Sequence, residues 1–157
     1  MAVNTTPING SDVFLQISED SGSSYDTVMF LTSANLSASM DVRDISNKSS
    51  AGWREILEAQ KSWSLSGDGF VTYSTVTDSD NTGTLVDFLS NRTKIFVKFT
   101  IGSYNASTGG FTANSGDSEY YGEAYVTSIE QSSGVEDNLG FSVSFEGTGV
   151  LTKATIS

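Results

Sequence analysis

Residues 36–42 alternate without a break: Leu36, Ala38, Met40 and Val42 share one side, Ser37, Ser39, Asp41 and then Arg43 the other. A period of two marks a β-strand with one dry and one wet face, because successive side chains point to opposite faces of a sheet. The pattern returns along the chain. Ser62, Ser64 and Ser66 alternate with Trp63 and Leu65, and Ile95, Val97, Phe99 and Ile101 with Phe96, Lys98 and Thr100. Leu139, Phe141, Val143 and Phe145 alternate with Gly140, Ser142, Ser144 and Glu146. Residues 13–17, 27–32 and 120–130 are further strand candidates. Half-apolar strands in this number must bury their dry faces against a second layer. The expected fold is therefore mainly β, an antiparallel β-sandwich or barrel-like domain.

One segment keeps a helical period instead. Leu85, Phe88 and Leu89 form an apolar stripe within residues 84–91, with Ser79, Asp80, Asn81 and Thr82 ahead of it as N-cap candidates. This is the one flanking α-helix. Residues 44–61 break the alternation and read as a long loop. Inside it Trp53, Ile56 and Leu57 have the i, i+3, i+4 spacing of one or two amphipathic helical turns. Residues 21–24 read as a turn, the glycines of Gly67-Asp68-Gly69 as a bulge or kink, and residues 102–116 as a polar loop. The 157 residues suit a single core, which nine Phe, six Tyr and two Trp can fill. The expected organisation is a flexible arm over residues 1–12, one β domain over 13–151, and a C-terminal tail over 152–157.

Charge and composition then exclude whole classes of chemistry. Nineteen acidic residues face eight basic ones, a net charge of −11. Proteins that grip nucleic acid do so by neutralising phosphates with a basic stripe, and no Lys/Arg cluster occurs here. Cysteine and histidine are both absent, which removes disulfides and every triad or metal site that needs them. No apolar run approaches membrane-spanning length, so no membrane partner is expected. Asp78-Ser79-Asp80-Asn81-Thr82-Gly83 matches the opening of a calcium loop, but its twelfth position, which should be a bidentate carboxylate, is Leu89. Helix capping accounts for the same residues. Asp41, Asp44, Asp68, Glu119, Glu123 and Glu130 offer carboxylate pairs, and nineteen acids make such pairs by chance. The chain thus reads as a non-enzyme, with no catalytic residue, no metal ligand and no cofactor assigned.

Residues 47–57, NKSSAGWREIL, followed by residues 61–70, KSWSLSGDGF, resemble the major tail tube proteins of phages with long noncontractile tails. Residues 124–130, AYVTSIE, and 142–149, SVSFEGTG, are similar to the last two strands and the closing glycine turn of that family. The resemblance runs over residues 13–151, and related tubes occur in gene-transfer-agent particles. It implies hexameric rings that stack into a hollow tube, each subunit adding strands to a continuous inner β-barrel.

By the same resemblance the inner strands are residues 36–43, 62–73, 120–130 and 139–146. The side chains lining the lumen are then Ser37, Ser39, Asp41, Ser62, Ser64, Ser66, Ser128, Glu130, Ser142, Ser144 and Glu146, with Tyr125 and Ile129 facing in toward the core. The loop over residues 44–61 would reach the neighbouring ring. Trp53, Ile56 and Leu57 would anchor it, and Lys48, Arg54 and Glu55 would set register. The implied partners are other copies of the chain, together with tape-measure, tail-terminator and distal tail proteins. DNA would pass through without specific binding. The implied location is the virion tail, after synthesis in the host cytoplasm. Two rival readings remain. One is a secreted carbohydrate-binding β-sandwich using Tyr104, Phe111, Tyr120 and Tyr121. The other is a tube protein of a contractile injection or type VI secretion system.

Overall fold

The computed structural model describes residues 13–28, 31–71, 79–80, 82–105, 110–113, 115–134 and 138–157. The arm over residues 1–12, and Asp78 and Asn81 of the candidate calcium loop, lie outside the described residues. In chain order the elements are β1 (Val13–Ser18), β2 (Asp26–Val28), β3 (Leu31–Asp44), β4 (Ile56–Phe70), β5 (Ser79–Asp80), α1 (Thr82–Asn91), β6 (Lys94–Asn105), β7 (Gly110–Ala113), β8 (Ser118–Ser132) and β9 (Gly140–Thr155).

The strands form one sheet in the order β3-β4-β9-β8-β6-β1-β2-β5, with β7 paired to β6. Every pairing is antiparallel except β2 with β5. The sheet curls, so that β1 packs near β3 although four strands separate them in the order. Its concave side holds the core: Leu15 and Ile17 of β1, Trp63 and Leu65 of β4, Ile95 and Val97 of β6, Ala124 and Val126 of β8, and Phe141, Val143 and Phe145 of β9. Helix α1 packs against β8 and adds Leu85 and Phe88. The expected class holds, mainly β and antiparallel with one helix. The layers come from one continuous sheet folding over, and the barrel stays open.

Trp63 is the pivot of this core. It is 5% exposed, and its indole N–H donates to the Gly149 carbonyl at 3.2 Å. The ring lies flat on the backbone of β9 and β8. A Cβ at Gly147 would overlap the indole, and one at Gly122 would come within 2.6 Å of it. Those glycines give an aromatic ring room to sit on a strand.

Four expectations are corrected. Residues 44–61 are not one loop with a helical turn. The connection is residues 45–55, and residues 56–61 belong to β4, pairing back to Asp44, Arg43, Val42 and Met40. Glu58, Ala59, Gln60 and Lys61 are good helix formers, but strand pairing with β3 overrides local propensity. Residues 102–116 are largely a hairpin, because β6 continues to Asn105 and turns back as β7. The glycines at 67 and 69 do not bulge: β4 stays in register with β9 throughout, and the extra residue lies opposite them, between Leu31 and Ser33. Gly67 is small because it faces the Leu31 side chain, 3.0 Å from where a Cβ would stand. The C-terminal tail expected over residues 152–157 is strand as far as Thr155, since β9 runs on along β8.

Candidate functional site

The four segments expected to form an inner wall are neighbours in space, in the order β3-β4-β9-β8. Residues directly opposite in an antiparallel ladder share a face, so the pairing register defines the wall row by row. Ser37 faces Ser64, which faces Glu146. Asn35 faces Ser66, then Ser144, then Ser128. Ser33 faces Asp68, then Ser142, then Glu130. Ser39 faces Ser62 and their hydroxyls hydrogen-bond at 3.0 Å. Asp41 continues the alternation at the far end of β3. All eleven side chains singled out as wall residues therefore lie on one polar face, the side of the sheet away from the core.

The sequence reading missed four members of that face, Ser33, Asn35, Asp68 and Tyr125. Asp68 sits near its middle, accepting from Ser33 Oγ at 2.7 Å on one oxygen and from Ser142 Oγ at 2.7 Å on the other. These two hydroxyls, Ser142 foremost, hold its carboxyl below the usual range. Asn35 lies in the same rows. Tyr125, expected to face the core, instead stands opposite Glu146 on the polar face. A bulge between Val126 and Ser128 inserts Thr127 and shifts the phase of β8, so Ala124 and Val126 point inward and so does Ile129. Alternation within β8 alone gives no sign of that inserted residue. The Asp68 signal was present, in the Ser-x-Ser-x-Asp spacing from Ser64 through Ser66.

The second feature is the outer half of the β3–β4 hairpin. From Ala38 to Asp44 and from Ile56 to Ser62 both strands are exposed on both faces. Ile56 and Leu57 do not share a face, being successive residues of a strand. Across the hairpin end, the loop over residues 45–55 is held by its own polar groups. Asp44 accepts from Ser46 N–H at 2.9 Å and pairs with Arg54 Nε at 3.2 Å. Ser46 Oγ accepts from Glu55 N–H at 2.8 Å. Buried Ser50 accepts from Asn47 N–H through its hydroxyl and from Trp53 N–H through its carbonyl, at 3.0 and 2.8 Å. This braced loop presents Trp53 with 81% of its surface exposed. Lys48 and Glu55 are exposed beside it.

The third feature is unused strand edge. β3 ends the sheet, so its outer edge has no strand partner among the described residues. β8 pairs with β6 only as far as Tyr125, so the β6 side of residues 126–132 has no strand partner among the described residues.

The other flagged carboxylates serve local structure. Glu123 pairs with Lys94 at 2.9 Å, and Glu119 with Lys98 at 3.4 Å. Among the described residues no three acidic side chains converge as a cation cage would require. Of the aromatic platform, Tyr120 and Tyr121 are half-buried in β8, and the side chains of Tyr104 and Phe111 lie outside those described.

Comparison with known proteins gives a family and a fold. A family model described as phage tail tube protein matches residues 7–153. A search of curated proteins finds no match. Among solved structures, a chain from the tail of an empty gene transfer agent particle, refined with C6 symmetry, aligns with TM-score 0.72 at 18% identity, over 95% of this chain and 100% of that one. The SPP1 tail tube aligns with TM-score 0.68 at 18% identity, over 96% of this chain and 81% of that one. A chain of the PVC sheath–tube complex, from an extracellular contractile injection system, aligns with TM-score 0.65 at 12% identity, covering 98% and 95%. At these identities the likeness is one of fold.

Proposed function

The chain belongs to the phage tail tube protein family, a structural component of the virion tail, and from that premise we propose that it works by closing into hexameric rings that stack as a hollow conduit for DNA. The observation that carries this is the four-strand polar face with an open edge at each side. β3, β4, β9 and β8 alternate in direction, so β3 of one copy laid along residues 126–132 of the next continues the antiparallel pattern. Repetition around an axis removes both edges, which would otherwise template aggregation. The C6 symmetry of the gene transfer agent tail supports six as the number of copies.

In such a ring the polar face becomes the inner wall. Its serines are small, and Asp41, Asp68, Glu130 and Glu146 make it negative. Phosphate binding rests on neutralisation by Lys and Arg, so a wall of hydroxyls and carboxylates repels the DNA backbone and lets it slide. The braced hairpin loop serves stacking. Trp53 and Ile56 reach the adjacent ring with Leu57 on the opposite face, and Lys48, Arg54 and Glu55 set register through exposed charge pairs. A large exposed aromatic on a preorganised loop has the character of an interface hot spot. Tape-measure protein inside the tube and terminator and distal proteins at its ends are the remaining partners of this reading.

Negative-stain electron microscopy over a concentration series tests it. Rings or hollow tubes are the expected result. Particles that stay monomeric throughout, alone and when seeded with preformed tail tips, would overturn it.

A further inference from the structure

Beside the hairpin lies an open groove of about 550 Å³ lined by residues 38–40 and 61–63 of the two hairpin strands and by residues 149–151 of β9. It exists because β9 stops pairing with β4 at Glu146 but continues along β8 to Thr155, so the hairpin and the β8–β9 arm diverge. Val150 stands at this groove 80% exposed. A second apolar surface lies on α1. Leu85 and Phe88 are spent in the core, yet Val86 and Leu89, one turn apart on an adjoining flank, are left bare. Met40, Val42, Val86 and Leu89 are each between 37% and 44% exposed.

We propose that the groove receives the Val86–Leu89 flank of α1 from a second copy of this chain, the ring neighbour whose β8 edge lies along β3. The proposal rests on the ring reading above and adds an outer layer to its interface.

Sidedness supports this occupant. Helix α1 covers the core side of β8. Met40 and Val42 face the core side of β3, opposite in sense to Ser39 and Asp41. If β3 extends the neighbour's sheet at β8, with polar faces aligned, the neighbour's helix falls on the same side as Met40 and Val42.

Groove and flank lie at different places on one chain, as a heterologous contact that closes into a ring requires.

Cysteine cross-linking tests the contact cleanly, because the chain has no cysteine. Met40→Cys combined with Val86→Cys, and separately with Leu89→Cys, is assembled and treated with a short bis-maleimide. A ladder of covalent oligomers ending at the ring number is expected from assembled protein, with none from dilute monomer. In parallel, Met40→Glu should raise the assembly concentration about ten-fold or more by placing an unpaired charge in the apolar contact. Leu89→Lys, which suits a helix C-terminus in the isolated subunit, should leave the melting transition in place while blocking rings. Normal tubes that give no cross-link with either pair would overturn this contact and leave the ring reading standing. Failure of the unmodified chain to form rings at all would overturn both.

Discussion

The chain has two tryptophans on one hairpin strand and its loop, and they live in opposite environments. Trp63 is buried, hydrogen-bonded to Gly149, and seated on the bare backbone of Gly147 and Gly122. Trp53 is almost fully solvated, on a loop that spends its hydrogen bonds bracing itself rather than covering the ring. Burial of so large a side chain is worth several kcal/mol. Its display on a rigid loop therefore leaves a large favourable contribution unrealised until a partner arrives. The inner half of the hairpin stabilises the subunit, and the outer half is the part that the proposed function gives to assembly.

Substitution should split the two halves, with the largest effect at Trp63. Trp63→Ala is expected to destabilise the subunit by about 3–5 kcal/mol, read as a lower urea midpoint. Gly147→Val should also cost stability, by roughly 1–3 kcal/mol or more, because the indole has no room to move. If either variant melts like the parent, Trp63 is not the pivot of the core.

Trp53→Ala is expected to do the reverse. Subunit stability should change by less than about 0.5 kcal/mol, while assembly loses about 2 kcal/mol or more at each loop contact. Sedimentation should show folded subunits with few or no tubes. Tubes of normal length would remove Trp53 from the interface.

A finer cut is Ser50→Ala, which takes the acceptor from Asn47 N–H and loosens the platform without touching Trp53 itself. The unpaired group costs about 1 kcal/mol locally. A several-fold rise in assembly concentration with little change in melting would show that bracing matters, and an unchanged value would show that exposure of Trp53 suffices.

The smallest effect concerns the polar wall. Ser142 and Ser33 hold the Asp68 carboxyl below its ordinary pKa in the folded state. Its contribution to stability is therefore complete above the unfolded value of about 4, and is lost as pH falls through the lower folded value. Because the group is highly solvated the contribution is small. Asp68→Asn should make the fall in melting temperature below pH 4 slightly shallower than in the parent. A steeper fall would mean that the two serines do not favour the ionised form.

Much of the polar face was legible because a period of two is a property of the strand itself. Ser37 and Ser39, Ser62 to Ser66, and Ser142 to Glu146 alternate with apolar residues, and the ladder only had to place them side by side. Tyr125 was not legible, since its orientation depends on one inserted residue in β8 that is visible only against β9. The hairpin misled for a related reason. Trp53, Ile56 and Leu57 have helical spacing, and Glu58 to Lys61 favour a helix, so nothing local announces a strand. Pairing with residues 40–44 decides it.

The sequence by itself determined a mainly β chain with one helix, a polar face matched to an apolar one, an acidic character without basic clusters, and a resemblance to tail tube proteins. Each of these depends on residue identity and local spacing. Tertiary structure decided that the four strands of the polar face are neighbours, that β3 and part of β8 keep open edges among the described residues, and that Trp63 is enclosed where Trp53 is displayed. Those depend on which backbone hydrogen bonds close between segments far apart in the chain, and local periodicity carries no record of that choice.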